Sequence, residues 1–403
     1  MNWSEKRVSL KFQHPRLSLG ATALVIFILT CLLAEIVARA PFVQAQIPYQ
    51  AYGINHTQLE LQLNLLNKYA REKDAPDCFI FGSSQAFRET DPAAFERSYE
   101  TVSGEKVNCY NFGVTGSQIW STSLLSEILI RKYQPRLVVI GTSFLDYTEG
   151  REQDINERYL KNDWLRYQTG AFNLNGWLTE HSYAWRALTI LSYAAPYGMR
   201  YGEVVRGARK WDGEIADNGF ALSDVSVNPS LPVETGFVKN LQKEFGDFGV
   251  SERNLDALEH LISFSQQAGA QVLIAEMTYH PALLELKDRH GQPRADKARI
   301  LAFIDKVNAR LRDIAKNHGV PFLEAESSVS IPDTGWYDLY HLNRVGAEVF
   351  SEWLGGPSTP PPPLRGAPPR PNPPPPGPLP AAPSSLTAGG APPPTRRRPD
   401  APR

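Results

Sequence analysis

Between Asp77 and Leu354 the chain alternates short apolar runs with longer stretches of helical spacing, and that alternation predicts a parallel sheet covered by helices on both faces. The runs are 78–82, about 106–112, 136–142, 271–276 and a short one at 320–324. Each is too continuously apolar for a half-buried strand and suits one covered on both sides. Helices are predicted between them. Ile119, Trp120, Leu124, Leu125, Ile128 and Leu129 mark one over 118–132, and Leu255, Leu258, Leu261 and Ile262 mark another over 252–268. A long one over 294–318 ends at Gly319, a natural carboxyl cap. Asp91-Pro92 is a helix start, residues 343–354 close the pattern, and a leading helix precedes the first run. From about 144 to 235 the alternation lapses into an insertion holding Trp164, Trp177, Trp185 and Trp211, with helical pieces near 155–168 and 175–200. Because it follows the third strand directly, it suits either a lid at that sheet edge or a small core of its own.

Residues 17–38 are apolar for about 18 positions before Glu35, near the minimum for a bilayer span. Lys6, Arg7, Lys11 and Arg16 precede the span against only Glu5, so the short amino end (1–16) should stay cytoplasmic and the main domain should be extracytoplasmic. A cleaved signal peptide ending at Val43-Gln44-Ala45 is the rival, and the length of the apolar run favours the anchor. Residues 39–75 then form a linker and the leading helix. Residues 356–403 are rich in proline and arginine and have no aromatic side chain, which predicts a disordered, solvated tail. The formal charge of -1 hides an asymmetry: past Gly356 lie six arginines and one aspartate, so the rest of the chain is near -6, which argues against a nucleic-acid partner. Of three cysteines, Cys31 falls in the span. Cys78 and Cys109 begin neighbouring runs, and two buried unpaired thiols are expected there, with a disulfide as the alternative. No HExxH or Cys/His ligand spacing occurs, so neither a metal nor another cofactor is expected.

The candidate chemistry lies where the runs end. Gly82-Ser83-Ser84 places a hydroxyl at the carboxyl edge of the sheet, where open α/β sheets bind their ligands. A serine becomes a nucleophile when a base takes its proton, and Asp338-x-x-His341 offers a base and its orienting acid within one loop. Together with Asn111-Phe112-Gly113-Val114-Thr115-Gly116 and Val139-Ile140-Gly141-Thr142-Ser143, these stretches resemble the four ordered blocks of the SGNH (GDSL-type) esterase and acyltransferase superfamily, over residues 76–355. The resemblance implies a three-layer α/β/α sandwich, flavodoxin-like, with a five-stranded parallel sheet in the order 2-1-3-4-5. It also implies that Ser84 is the nucleophile, His341 the base and Asp338 the acid. The oxyanion hole would comprise the N–H groups of Ser84 and Gly116, with the Ser143 hydroxyl standing where the family has asparagine. Arg88, just beyond Ser84, is a candidate for binding an anionic substrate, with pairing to a local carboxylate as the plainer role.

The anchor beside such a domain resembles proteins of cell-surface polysaccharide O-acetylation and teichoic-acid D-alanylation. That likeness implies an acyl-serine intermediate, a polysaccharide or lipid-linked acyl substrate, and a membrane-bound acyltransferase as partner. The alternative, favoured by Ser143, is a catalytically degenerate envelope protein acting as a carbohydrate-binding or assembly module.

Overall fold

A computed structural model of the chain describes residues 15–149, 161–194, 201–211, 213–226, 248–285 and 296–356. Its centre is a five-stranded parallel sheet in the order β2-β1-β3-β4-β5. The strands are β1 (Cys78–Gly82), β2 (Cys109–Gly113), β3 (Leu137–Thr142), β4 (Gln271–Glu276) and β5 (Phe322–Leu323). Alternate residues face opposite layers. Phe79, Phe81, Phe112, Val138 and Ile140 join one core, and Cys78, Ile80, Cys109, Val139 and Leu273 join the other. The fold is therefore α/β with helices on both faces. β2 starts later than its apolar run because the Asn108 N–H donates to the Asp77 side chain (2.7 Å). β5 is short because Pro321 has no N–H to offer the ladder.

The helices of the domain are α3 (Thr57–Glu72), α4 (Ser84–Glu89), α5 (Pro92–Ser103), α6 (Ile119–Tyr133), α11 (Glu252–Gln267), α12 (Lys297–His318) and α13 (Arg344–Leu354). The side chains of His56, Asp91, Ser251 and Asn343 cap four of them, each accepting an N–H of the first turn. One helix, α4, is earlier than the expected start at Asp91. It begins at Ser84 itself, with the Ser83 side chain as its cap. Two glycines let it press against the sheet. A Cβ on Gly113 would lie 2.4 Å from the Phe87 nitrogen, and one on Gly82 would lie 2.4 Å from the Gly141 oxygen and 2.6 Å from the Ala86 Cβ.

The cysteine expectation is corrected. Cys78 and Cys109 are direct partners in the β1/β2 register, their Cα atoms are 4.3 Å apart, and they form a disulfide. Both side chains fall on the same face of the sheet at the first paired position, which brings the two sulfurs together.

The apolar amino-terminal segment is one helix, α1 (Pro15–Arg39), of which Leu19–Arg39 is long and apolar enough to cross a membrane. A single turn, α2 (Pro41–Gln44), follows. In the insertion are α7 (Asp163–Gln168), α8 (Leu174–His181), α9 (Tyr183–Ala194) and α10 (Tyr201–Arg209). The helix expected over 175–200 is interrupted at Ser182, where Glu35 of α1 accepts from the Ser182 hydroxyl (2.7 Å) and from the N–H groups of Tyr183 (3.0 Å) and Ala184 (3.1 Å). Ile190, Tyr193 and Val204 pack with Tyr49 and Ala51, and Trp164 meets Tyr52 with ring centroids 4.7 Å apart. The described insertion helices thus share a small core with the segment leading into α3. Residues 1–14, 155–160 and the tail from 357 lie outside the described residues.

That small core contains a buried acid. Glu60 is fully buried, and its Oε1 accepts from the Tyr193 hydroxyl (2.5 Å) and the N–H groups of Ile54 (2.8 Å) and Tyr52 (3.2 Å). Burial outweighs those donors and pushes the carboxyl up from 4.5 to about 7. A carboxyl raised on folding stabilises the fold below its unfolded value, and that contribution disappears as pH climbs through the folded value. The unfolding free energy should therefore fall by about 3 kcal/mol between pH 4.5 and 7 on account of Glu60. Urea unfolding across this range should show a shallower pH dependence in Glu60→Gln. An unaltered slope would assign the titration elsewhere.

Candidate active site

β1 ends at Gly82, and the chain turns at once into α4, so Ser84 is presented at the carboxyl edge of the sheet on the first residue of a helix. The loop before α13 approaches from the other end of the chain. His341 Nε2 is 2.8 Å from Ser84 Oγ across 257 residues of sequence, and His341 Nδ1 is 2.8 Å from Asp338 Oδ2. An ionised carboxylate can only accept, so Nδ1 carries the ring proton and Nε2 presents its lone pair to the serine hydroxyl. His341 is 7% exposed. The loop fixes itself: Asp338 Oδ1 accepts the Tyr340 N–H (2.9 Å), the His341 carbonyl accepts the Tyr337 N–H (2.9 Å), and the Tyr340 ring lies against the imidazole at 4.2 Å.

Gly116 lies in the turn after β2 with a φ of 73°, a conformation that costs glycine little. The turn is tied to the nucleophile strand, since the Val114 N–H donates to the Gly82 carbonyl (3.0 Å). It is also held from outside. Gln58 donates to the Gly113 carbonyl (3.0 Å) and accepts the Thr115 N–H (3.1 Å), while His56 Nε2 donates to the Thr115 carbonyl (3.0 Å). His56 Nδ1 accepts the Leu59 N–H (3.1 Å), which fixes that tautomer. Among the described residues the N–H groups of Ser84 and Gly116 meet no acceptor. Ser143, after β3, is buried; its N–H donates to Asp146 Oδ2 (2.8 Å), and its hydroxyl donates to no acceptor among the described residues.

Arg88 lies one turn beyond Ser84, on the same side of α4. Among the described residues it makes no ion pair, contrary to the plainer expectation for it; its guanidinium lies over the Tyr337 ring, 4.1 Å from the centroid. The other side of α4 carries residues with no sequence signal pointing to them. Gln85 donates to the Thr278 carbonyl (2.9 Å), and Glu89 accepts the Thr278 N–H (2.9 Å), so two buried side chains clamp α4 to the segment after β4. Burial, reinforced by the charges of Asp338 and Asp146, pushes the Glu89 carboxyl well above its usual range. Only their contacts distinguish these residues from ordinary polar positions of a short helix. Among the described residues no cluster of three or more His, Cys, Asp or Glu side chains could hold a metal ion.

No protein-family model matches the chain, and no curated protein matches it. Among solved structures it is similar to a GDSL-like lipase from Bacteroides thetaiotaomicron VPI-5482, at 12% sequence identity, covering 73% of this chain and 96% of that one with a TM-score of 0.31. It is also similar to a "putative acylhydrolase" from Bacteroides fragilis NCTC 9343, at 13% identity, covering 72% and 93% with a TM-score of 0.31. Likeness at this level decides nothing about activity, for which the distances around Ser84 are the relevant facts.

Proposed function

We propose that the chain is a membrane-anchored, extracytoplasmic serine esterase or O-acyltransferase of the SGNH type, acting on acyl esters of a cell-envelope carbohydrate. The observation that carries this reading is the unbroken relay Asp338, His341, Ser84, with both hydrogen bonds at 2.8 Å. As Ser84 Oγ attacks an ester carbonyl, its proton passes to His341 Nε2, and Asp338 stabilises the imidazolium that results. The carbonyl oxygen becomes an oxyanion, and the N–H groups of Ser84 and Gly116, together with the Ser143 hydroxyl, are the donors available to it. Collapse of the tetrahedral species breaks the bond to the alcohol, which leaves with the proton from Nε2, and an acyl-Ser84 ester remains. Water or a sugar hydroxyl then enters by the same steps in reverse.

α1 and the disulfide between Cys78 and Cys109 both suit a domain held outside the cytoplasm, where disulfides persist. For transfer rather than hydrolysis, a membrane-bound acyltransferase would supply the acyl group.

A fluorophosphonate probe tests the serine chemistry on the full chain in detergent. One adduct mapping to Ser84, and lost in Ser84→Ala, is expected. A folded wild type that stays unlabelled would shift the reading to a carbohydrate-binding or assembly module.

A further inference from the structure

A second site lies on the other side of the domain. α3 and α6 lead into β1 and β3, so they run antiparallel to the strands and their carboxyl halves lie toward the amino edge, opposite Ser84. There they enclose a cavity of about 610 Å³ with the end of α1 and the insertion helices α7 to α9. Arg39, Arg71, Lys132 and Arg186 line it against a single carboxylate, Glu180. That carboxylate is already engaged, accepting from Trp164 Nε1 (2.7 Å) and Gln168 Nε2 (2.8 Å). Arg39 is matched by Glu35 of its own helix (2.7 Å). The other three cations have no ion pair among the described residues. Arg186 rests over the Tyr52 and Tyr183 rings and donates to the Thr179 (2.6 Å) and Glu180 (2.5 Å) carbonyls, neutral acceptors that leave its charge unmatched; Lys132 donates to Asn67 Oδ1 (3.0 Å), and the Arg71 side chain makes no hydrogen bond among the described residues. Crowding by the cavity walls, with the neighbouring charges of Arg186 and Arg71, outweighs Glu180 and pulls the Lys132 ammonium below its usual range, although the residue as a whole is exposed. The cavity is short of negative charge.

Its position says where that charge would come from. Arg39 is the last residue of the membrane-length stretch and lines the cavity, so the cavity wall reaches the point where α1 would leave a bilayer. The helices around it carry exposed apolar side chains: Phe42 on α2, Leu174 on α8, Leu188 and Leu191 on α9, with Phe172 just before α8. The ion-paired carboxylate of Glu35 at the start of α9, and the Arg39 guanidinium 4.7 Å from the Tyr183 ring, lock that helix to α1. Basic groups at the end of an apolar membrane-length helix, with exposed apolar side chains on the neighbouring elements, match a lipid, with its phosphate in the cavity and its chains along the helices.

We propose that this cavity binds the phosphate-bearing headgroup of an anionic membrane lipid, with Arg71, Lys132 and Arg186 facing the phosphate. The inference rests on α1 spanning the membrane, which fractionation of expressing cells reads separately, and it is independent of the chemistry at Ser84.

The full chain in neutral detergent would be titrated with phosphatidylglycerol and with phosphatidylcholine, and lipid retention read by native mass spectrometry. Selective retention of phosphatidylglycerol is expected, weakened at least about tenfold in the double variant Arg71→Glu, Lys132→Glu. Arg71→Ala alters one exposed side chain, so it keeps the test open if the double variant fails to fold, and it should weaken retention in the same direction. Equal retention of both lipids, or phosphatidylglycerol retention unmoved by either variant, overturns the proposal. Displacement of the lipid by millimolar inorganic phosphate also overturns it, in favour of a soluble phosphate ligand.

Discussion

Changing Ser84 to alanine is expected to lower p-nitrophenyl acetate hydrolysis by about 10⁴-fold or more, and His341→Ala should do the same. Ser84→Ala breaks one 2.8 Å link and His341→Ala breaks both, and the reaction needs the relay as a whole, so the double variant should be no slower than either single one. Asp338→Asn separates orientation from charge. The amide keeps an acceptor for the Tyr340 N–H yet presents an N–H to His341 Nδ1, which forces the ring proton onto Nε2 and leaves no lone pair for Ser84. A loss of about 10⁴ in kcat is expected there too. Circular dichroism would confirm that each variant is folded. A folded Ser84→Ala enzyme within tenfold of wild type would sink the serine mechanism.

Replacing Cys78 and Cys109 together by alanine should remove about 3–4 kcal/mol of stability, the loss expected for a bridge closing a loop of this size. The two residues are 31 apart in sequence and completely buried, and they join the strand that carries Ser84 to the strand that carries the Gly116 turn. Urea unfolding of the oxidised wild type and the double variant measures the difference. Equal midpoints and slopes would mean that the sheet holds this pair without the bridge. Because β1 and β2 both support the site, activity should fall at lower urea in the variant as well.

Much of this architecture could be read from side-chain pattern. Five apolar runs fixed the strands to within a few residues because a sheet covered on both faces leaves no room for polar positions. The Asp-x-x-His spacing foretold a self-contained loop, and the chain folds it as one. What pattern could not supply was distance across the sheet. Cys78 and Cys109 are ordinary apolar-run residues until the register sets them opposite each other. The α4 start was hidden because Ser83 and Ser84 have the composition of a turn, while the glycines that admit the helix, Gly82 and Gly113, are separated by two helices and most of a strand. Gln58, Gln85 and Glu89 have no local signature at all. Their partners, at Thr115 and Thr278, lie far along the chain.

The direction in which α3 runs has a consequence for reach. Its carboxyl half lies beside the end of α1, while His56, before its first residue, holds the turn that carries Gly116. The fifteen-residue rise from Thr57 to Arg71 spans roughly 20 Å. With α1 embedded, Ser84 therefore stands on the far end of the domain, out of contact with the lipid surface. On the proposed reading as an acyltransferase, an acyl group made in the membrane would have to cross that gap to reach Ser84.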